Sequence, residues 1–216
     1  MKRFLGWLMI FMSLLGFAPA HSLAAAKIPV IIASSFDTSE QNFNNLTFYK
    51  LKELAQKYSD NAFDFQLFPG MQLGDELETV RGIQLGTIQM AMLATNNYAP
   101  FAPSCGWLNM PYLFDSLEEF RGLVDAMWDQ HNEWAIKEGG ARILSSMDIG
   151  YRQLTTNAKH PVRKLADAKG IKIRTPQNPL MVSTFKALGL EPTAVAFSET
   201  FNALQQGVVD GQEGCF

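Results

Sequence analysis

Residues 170–213 read GIKIRTPQNPLMVSTFKALGLEPTAVAFSETFNALQQGVVDGQE, and this stretch decides the fold. A short apolar strand, Ile171 to Arg174, ends in a single arginine and a Pro-rich turn. Asn178 suits a helix cap, and Pro179 suits the first helical position, where a missing N–H costs nothing; Gly189 ends that helix. Pro192 to Ala196 is extended, Ser198 and Glu199 start another helix closed by Gly207, and Val208 and Val209 begin a last strand. Strands that alternate with helices in this way belong to a mostly parallel sheet covered by helices.

The same alternation extends upstream. Ile28 to Ala33 is a β-rich apolar run, followed by a polar loop from Ser34 to Asn45. Leu46 to Tyr58 has helical spacing, with Leu51, Leu54 and Ala55 on one face. Phe63, Phe65 and Leu67 alternate with polar residues as a strand does, and Pro69-Gly70 breaks it. Gly74-Asp75-Glu76 opens a helix toward Leu85, its acids favoured by the first turn. Ile88 to Leu93 reads as a strand ending at Ala94-Thr95-Asn96-Asn97, and Pro100, Pro103 and Pro111 mark an irregular region. Ser116 with Glu119 fits a capping box for one helix running to about Glu138, which Gly139-Gly140 stops. Arg142 to Met147 is the next expected strand; a second unit begins near Gly150, with a single helical turn at Leu165 to Ala168.

The chain opens Met1-Lys2-Arg3, runs apolar from Phe4 to Ala18, and then offers small residues at Ala18-Pro19-Ala20 and Ala24-Ala25-Ala26. A basic start, a short apolar core and an A-x-A site predict a secretory signal peptide over residues 1–26. Without Lys2 and Arg3, 16 basic residues stand against 21 acidic ones, a formal charge of −5. That balance gives no general hold on nucleic acid or anionic lipid. The two cysteines, Cys105 and Cys215, read as a buried and an incidental thiol rather than a bridge. His21, His131 and His160 have no companion at ligand spacing, so neither a metal nor a cofactor is expected.

Arg174 is the leading candidate for ligand binding. Ligands of open α/β sheets gather beyond the carboxyl ends of strands, and a guanidinium there can grip a carboxylate through two parallel hydrogen bonds. The same position also fits a structural ion pair. Arg152, in GYRQLTTN, is a second candidate, either facing the same anion or holding structure where the chain passes between units. Phe197 either lies on an apolar part of a ligand or packs the helix start. From the first unit, Asp37 in the polar loop, Glu76 at the helix start and Asn96 after the strand complete the expected binding set. Catalytic signatures are missing: there is no G-x-S-x-G, P-loop, G-x-G-x-x-G or H-E-x-x-H, and Asp210 and Glu213 have no His or Lys placed with them. The reading is a protein that binds rather than an enzyme.

At GYRQLTTN, LADAKGIKIRTPQNPL, ALGLEPTAVAFSE and ALQQGVVDGQE, with FPGMQLGDELE and LNMPYLF upstream, the chain resembles the substrate-binding subunit of tripartite ATP-independent periplasmic (TRAP) transporters, the DctP-type family. The resemblance runs from about Ile28 to Glu213. It implies a two-lobed periplasmic-binding-protein-like fold, with lobe I at 27–149 and a partial lobe II at 150–216. It implies a small organic acid captured in the periplasm, with Arg174 as the principal carboxylate contact, Arg152 as the second and Phe197 as the aromatic wall. The implied partners are the small and large membrane subunits of a transporter driven by an ion gradient. Alternative readings are a ligand-sensing module for a membrane receptor and a non-functional remnant. Where members continue VDGQENP, this chain has Gly214-Cys215-Phe216. The tail therefore reads as a C-terminal truncation, lacking one Asn contact, and a polypeptide of this length is expected to fold or bind poorly. Ala94 stands where some sialic-acid binders carry an acid, so that ligand is not expected.

Overall fold

The computed structural model describes residues 26–36, 38–39 and 43–215. The expected signal peptide, apart from Ala26, and Asp37 lie outside the described residues.

Two sheets form. In the first, β1 (Ile28–Ser34) lies between β2 (Phe63–Phe68) and β3 (Met90–Met92), and all pairings are parallel. Helix α1 (Phe43–Tyr58) provides the crossover from β1 to β2, and Phe48 packs with Val30, Ile32 and Phe65. Helix α2 (Glu76–Leu85) connects β2 to β3. Its start is a capping box: Asp75 accepts from the Glu78 N–H at 2.8 Å, and Glu78 accepts from the Asp75 N–H at 2.9 Å.

A short helix α3 (Thr95–Tyr98) and a 3-10 segment (Pro103–Asn109) follow, then α4 (Leu117–Ala126) and α5 (Trp128–Gly139). Val80, Tyr98, Ala102, Cys105 and Ala135 form one apolar cluster, and the Tyr98 hydroxyl donates to the Ala135 carbonyl at 2.8 Å. A side chain at Gly139 would run into that hydroxyl, and Gly140, at φ 71°, supplies the left-handed cap that ends α5. Burial pushes the Cys105 thiol up to about 11, and both cysteines are free.

The second sheet has the order β4-β7-β5-β6: β4 (Arg152–Thr156), β5 (Lys172–Thr175), β6 (Glu191–Ala194) and β7 (Gly211–Cys215). β5 runs parallel to both neighbours, and β4 is antiparallel to β7. Helix α6 (Pro179–Ala187) connects β5 to β6, and α7 (Thr200–Gln205) precedes β7. Ile173, fully buried, packs with Ala168, Ile171 and Leu190. The mostly parallel α/β architecture is as expected.

Three local expectations are corrected. The helix expected from Ser116 to Glu138 is two helices, because Met127 (φ −94°, ψ 4°) ends α4 while its carbonyl accepts from His131 to begin α5. Arg142 to Met147 is not a strand. No described strand lies beside it, and the Ile143 N–H goes to the Asn132 side chain at 2.9 Å instead of a ladder. Arg152 to Thr156, read as a connection, is an edge strand. Its exposed, polar residues hide the apolar pattern that marks a buried one.

His131 carries a pH prediction. It is buried in α5, its Nδ1 accepts from Trp107 Nε1 at 2.9 Å, and burial holds its pKa below the usual imidazole value. The unfolded chain therefore binds its proton first. The stability this site contributes is complete above about pH 6.5 and is lost as pH falls toward the folded-state value. Thermal midpoints taken from pH 7.5 down to 5.5 should fall more steeply for the parent than for His131→Gln, which keeps an acceptor for Trp107 and does not titrate. Parallel slopes would refute this.

Candidate functional site

The two sheets meet at a narrow crevice. Met71, Glu76 and Asn97 line it from one side, and Arg174, Gln177 and Phe197 from the other. Arg174 reaches it because it stands near the carboxyl end of β5, paired to Thr193 on one flank and Gln212 on the other.

The Arg174 residue is 4% exposed. Its Nε donates to the Val195 carbonyl at 2.9 Å, which fixes the plane of the fork. Its two Nη groups have no hydrogen-bond partner and no ion pair among the described residues. The Phe197 ring lies 5.9 Å from Cζ and is itself 59% exposed, giving the cation an aromatic wall. Burial pulls the guanidinium pKa down; Glu213 opposes that shift, Arg152 adds to it, and Glu76 opposes it more weakly. The group stays charged, since arginine starts far above neutrality.

Opposite stands Glu76, in the first turn of α2. Ser35 Oγ donates to its Oε1 at 3.0 Å, and Asn97 Nδ2 donates to its Oε2. Burial raises its pKa above the ordinary carboxylate value, against the hydrogen bonds from Ser35 and the Ala94 N–H. The crevice thus has a cationic end and an acidic, amide-lined end.

Arg174, Glu76 and Phe197 come together as the sequence reading grouped them. Asn96 does not face the crevice; its side chain is buried against Asn97, which does. A helix of four residues gave no periodicity from which to choose between the two. Arg152 does not line the crevice either; it stands near enough to act on Arg174 but is held in a bidentate bridge to Glu213 through Nε and Nη2, the latter at 2.8 Å. The antiparallel register sets Arg152 opposite Cys215 and Leu154 opposite Glu213, so the charged pair are diagonal neighbours on one face. Gln177 was missed, and Asn97 was read only as part of the polar cluster Thr95-Asn96-Asn97, from which Asn96 was chosen. Both lie beside residues that were singled out, and adjacency was the only signal for them. Among the described residues no group of three His, Cys, Asp or Glu could hold a metal ion.

The sequence profile of bacterial extracellular solute-binding protein family 7, DctP, matches residues 34–215. The chain belongs to that family. The 2,3-diketo-L-gulonate-binding periplasmic protein of Escherichia coli is 29% identical over 195 residues, covering 88% of this chain and 59% of the relative. Among solved structures, a TRAP periplasmic solute-binding protein from Roseobacter denitrificans with bound L-galactonate superposes with a TM-score of 0.80. It is 32% identical, over 87% of this chain and 61% of its own. A second, from Pseudomonas putida with bound D-glucuronate, gives a TM-score of 0.81 at 28% identity, over 87% of this chain and 60% of its own. The chain thus spans about three fifths of the length of these relatives.

Proposed function

We propose that this chain captures a small organic acid outside the cytoplasmic membrane, with the acid's carboxylate on Arg174. The reading rests on a buried guanidinium whose outer nitrogens are unspent, aimed into a crevice between two sheets. A buried cation without a carboxylate partner is costly unless an anion arrives, and a planar fork fits a carboxylate better than a spherical anion. The TRAP periplasmic solute-binding proteins with bound L-galactonate and D-glucuronate support hydroxylated monocarboxylates as the class, since the acidic end at Glu76 can accept from hydroxyl groups. Residues 27–149 and 150–216 act as the two walls, and the N-terminal leader sends the chain to the periplasm. The loaded protein delivers the acid to the small and large membrane subunits of a TRAP-type transporter. Ligand contacts to both walls favour the closed arrangement by their differential affinity.

Titration calorimetry with L-galactonate and with L-galactonamide tests this. The carboxylate should give saturable binding and the uncharged amide none, an outcome that would also overturn the expectation that a polypeptide of this length binds poorly. Equal binding of the two would defeat the reading.

A further inference from the structure

Asn178 makes a contact that its role as a helix cap does not require. Its Oδ1 accepts from the Leu180 and Met181 N–H groups at 2.9 and 3.3 Å, which starts α6. Its Nδ2 donates at 2.7 Å to the main-chain carbonyl of Asn96, on the opposite wall. Both residues are buried. The carbonyl is available for a reason visible in the sequence. In a helix it would accept from the residue four places on, and that residue is Pro100, which has no N–H. No other described main-chain donor reaches it. A buried carbonyl left without a donor is costly, so the amide of Asn178 fills a defined vacancy.

The geometry points to Asn178 as a positioning residue for acid binding: it holds the two walls of the crevice at the separation where Arg174 and Glu76 face each other. Arg174 lies in β5, just upstream of Asn178 on the connection to α6, and Asn97, which holds Glu76, adjoins Asn96. One hydrogen bond therefore couples the cationic end of the site to the acidic end. It forms only while the walls are together, so it adds to the lifetime of the loaded state and not to the rate of encounter.

This inference rests on the proposed capture of an acid at Arg174, and its test separates the two. Asn178→Ser keeps a capping oxygen but is too short to serve the cap and reach Asn96 at once. With the full chain and L-galactonate as probe, stopped-flow kinetics should show dissociation faster by roughly tenfold, the scale set by one buried hydrogen bond. Association should be unchanged. The ligand-free thermal midpoint should fall only modestly, since the cap is kept and the Asn96 carbonyl alone loses its donor. Unchanged dissociation in the variant overturns the positioning role, whether or not the midpoint moves. Equal losses in association and dissociation behaviour after a large fall in midpoint also overturn it, because they mark a structural residue. If the parent itself binds no L-galactonate, the site reading fails and this inference falls with it.

Discussion

Replacing Arg174 with alanine lowers the affinity for L-galactonate at least about a hundredfold. The magnitude follows from what the two open Nη groups can do. Each charge-assisted hydrogen bond to a carboxylate contributes roughly 1.5–3 kcal/mol, and every 1.4 kcal/mol is about a factor of ten. Two such bonds exceed two decades even at the lower figure. Arg174→Lys should fall between, since an ammonium keeps the charge but not the planar fork. The Nε bond to Val195 also goes, so the variant's fold is checked by its thermal midpoint without ligand. Calorimetric affinities that match in parent and Arg174→Ala would remove the anchor from the site.

The second large effect concerns the charged pair beside it, and it is asymmetric. Glu213 is 2% exposed, whereas the Arg152 side chain is 36% exposed. Arg152→Ala strips a buried carboxylate of its bidentate partner, and breaking a buried pair in that direction costs about 3–5 kcal/mol. Glu213→Gln leaves an arginine that can still reach water, which limits the loss to roughly 1–2 kcal/mol. Urea unfolding of the two variants measures the difference directly. Equal midpoints would mean that Glu213 is satisfied without Arg152.

The sequence disclosed what local chemistry encodes. Asn178-Pro179 starts a helix by rules that need no distant residue, and Asn178 caps α6 as those rules require. Arg174 was legible because an arginine after a short apolar run, before a Pro-rich turn, is also placed by local rules. The sequence left Arg152 open between facing the anion and holding structure, because its partner Glu213 is 61 positions away and only the β4–β7 register brings them together. The strand at 152–156 was hidden for a related reason: an edge strand held by main-chain bonds needs no apolar alternation. Arg142 to Met147 shows the converse, a β-rich run with no strand beside it. The bond from Asn178 to Asn96 left one trace, the proline at position 100.

The strand order β4-β7-β5-β6 has a consequence for biosynthesis. β7 is the last described strand to leave the ribosome, yet it separates β4 from β5. Until it inserts, β4 lacks its one described neighbour, Arg152 lacks the Glu213 carboxylate, and one edge of the nascent β5–β6 pair stays open among the described strands. Non-local pairing of this kind is slow and leaves edges vulnerable to other chains. The sheet that carries Arg174 is therefore completed only when one short strand arrives between two made before it.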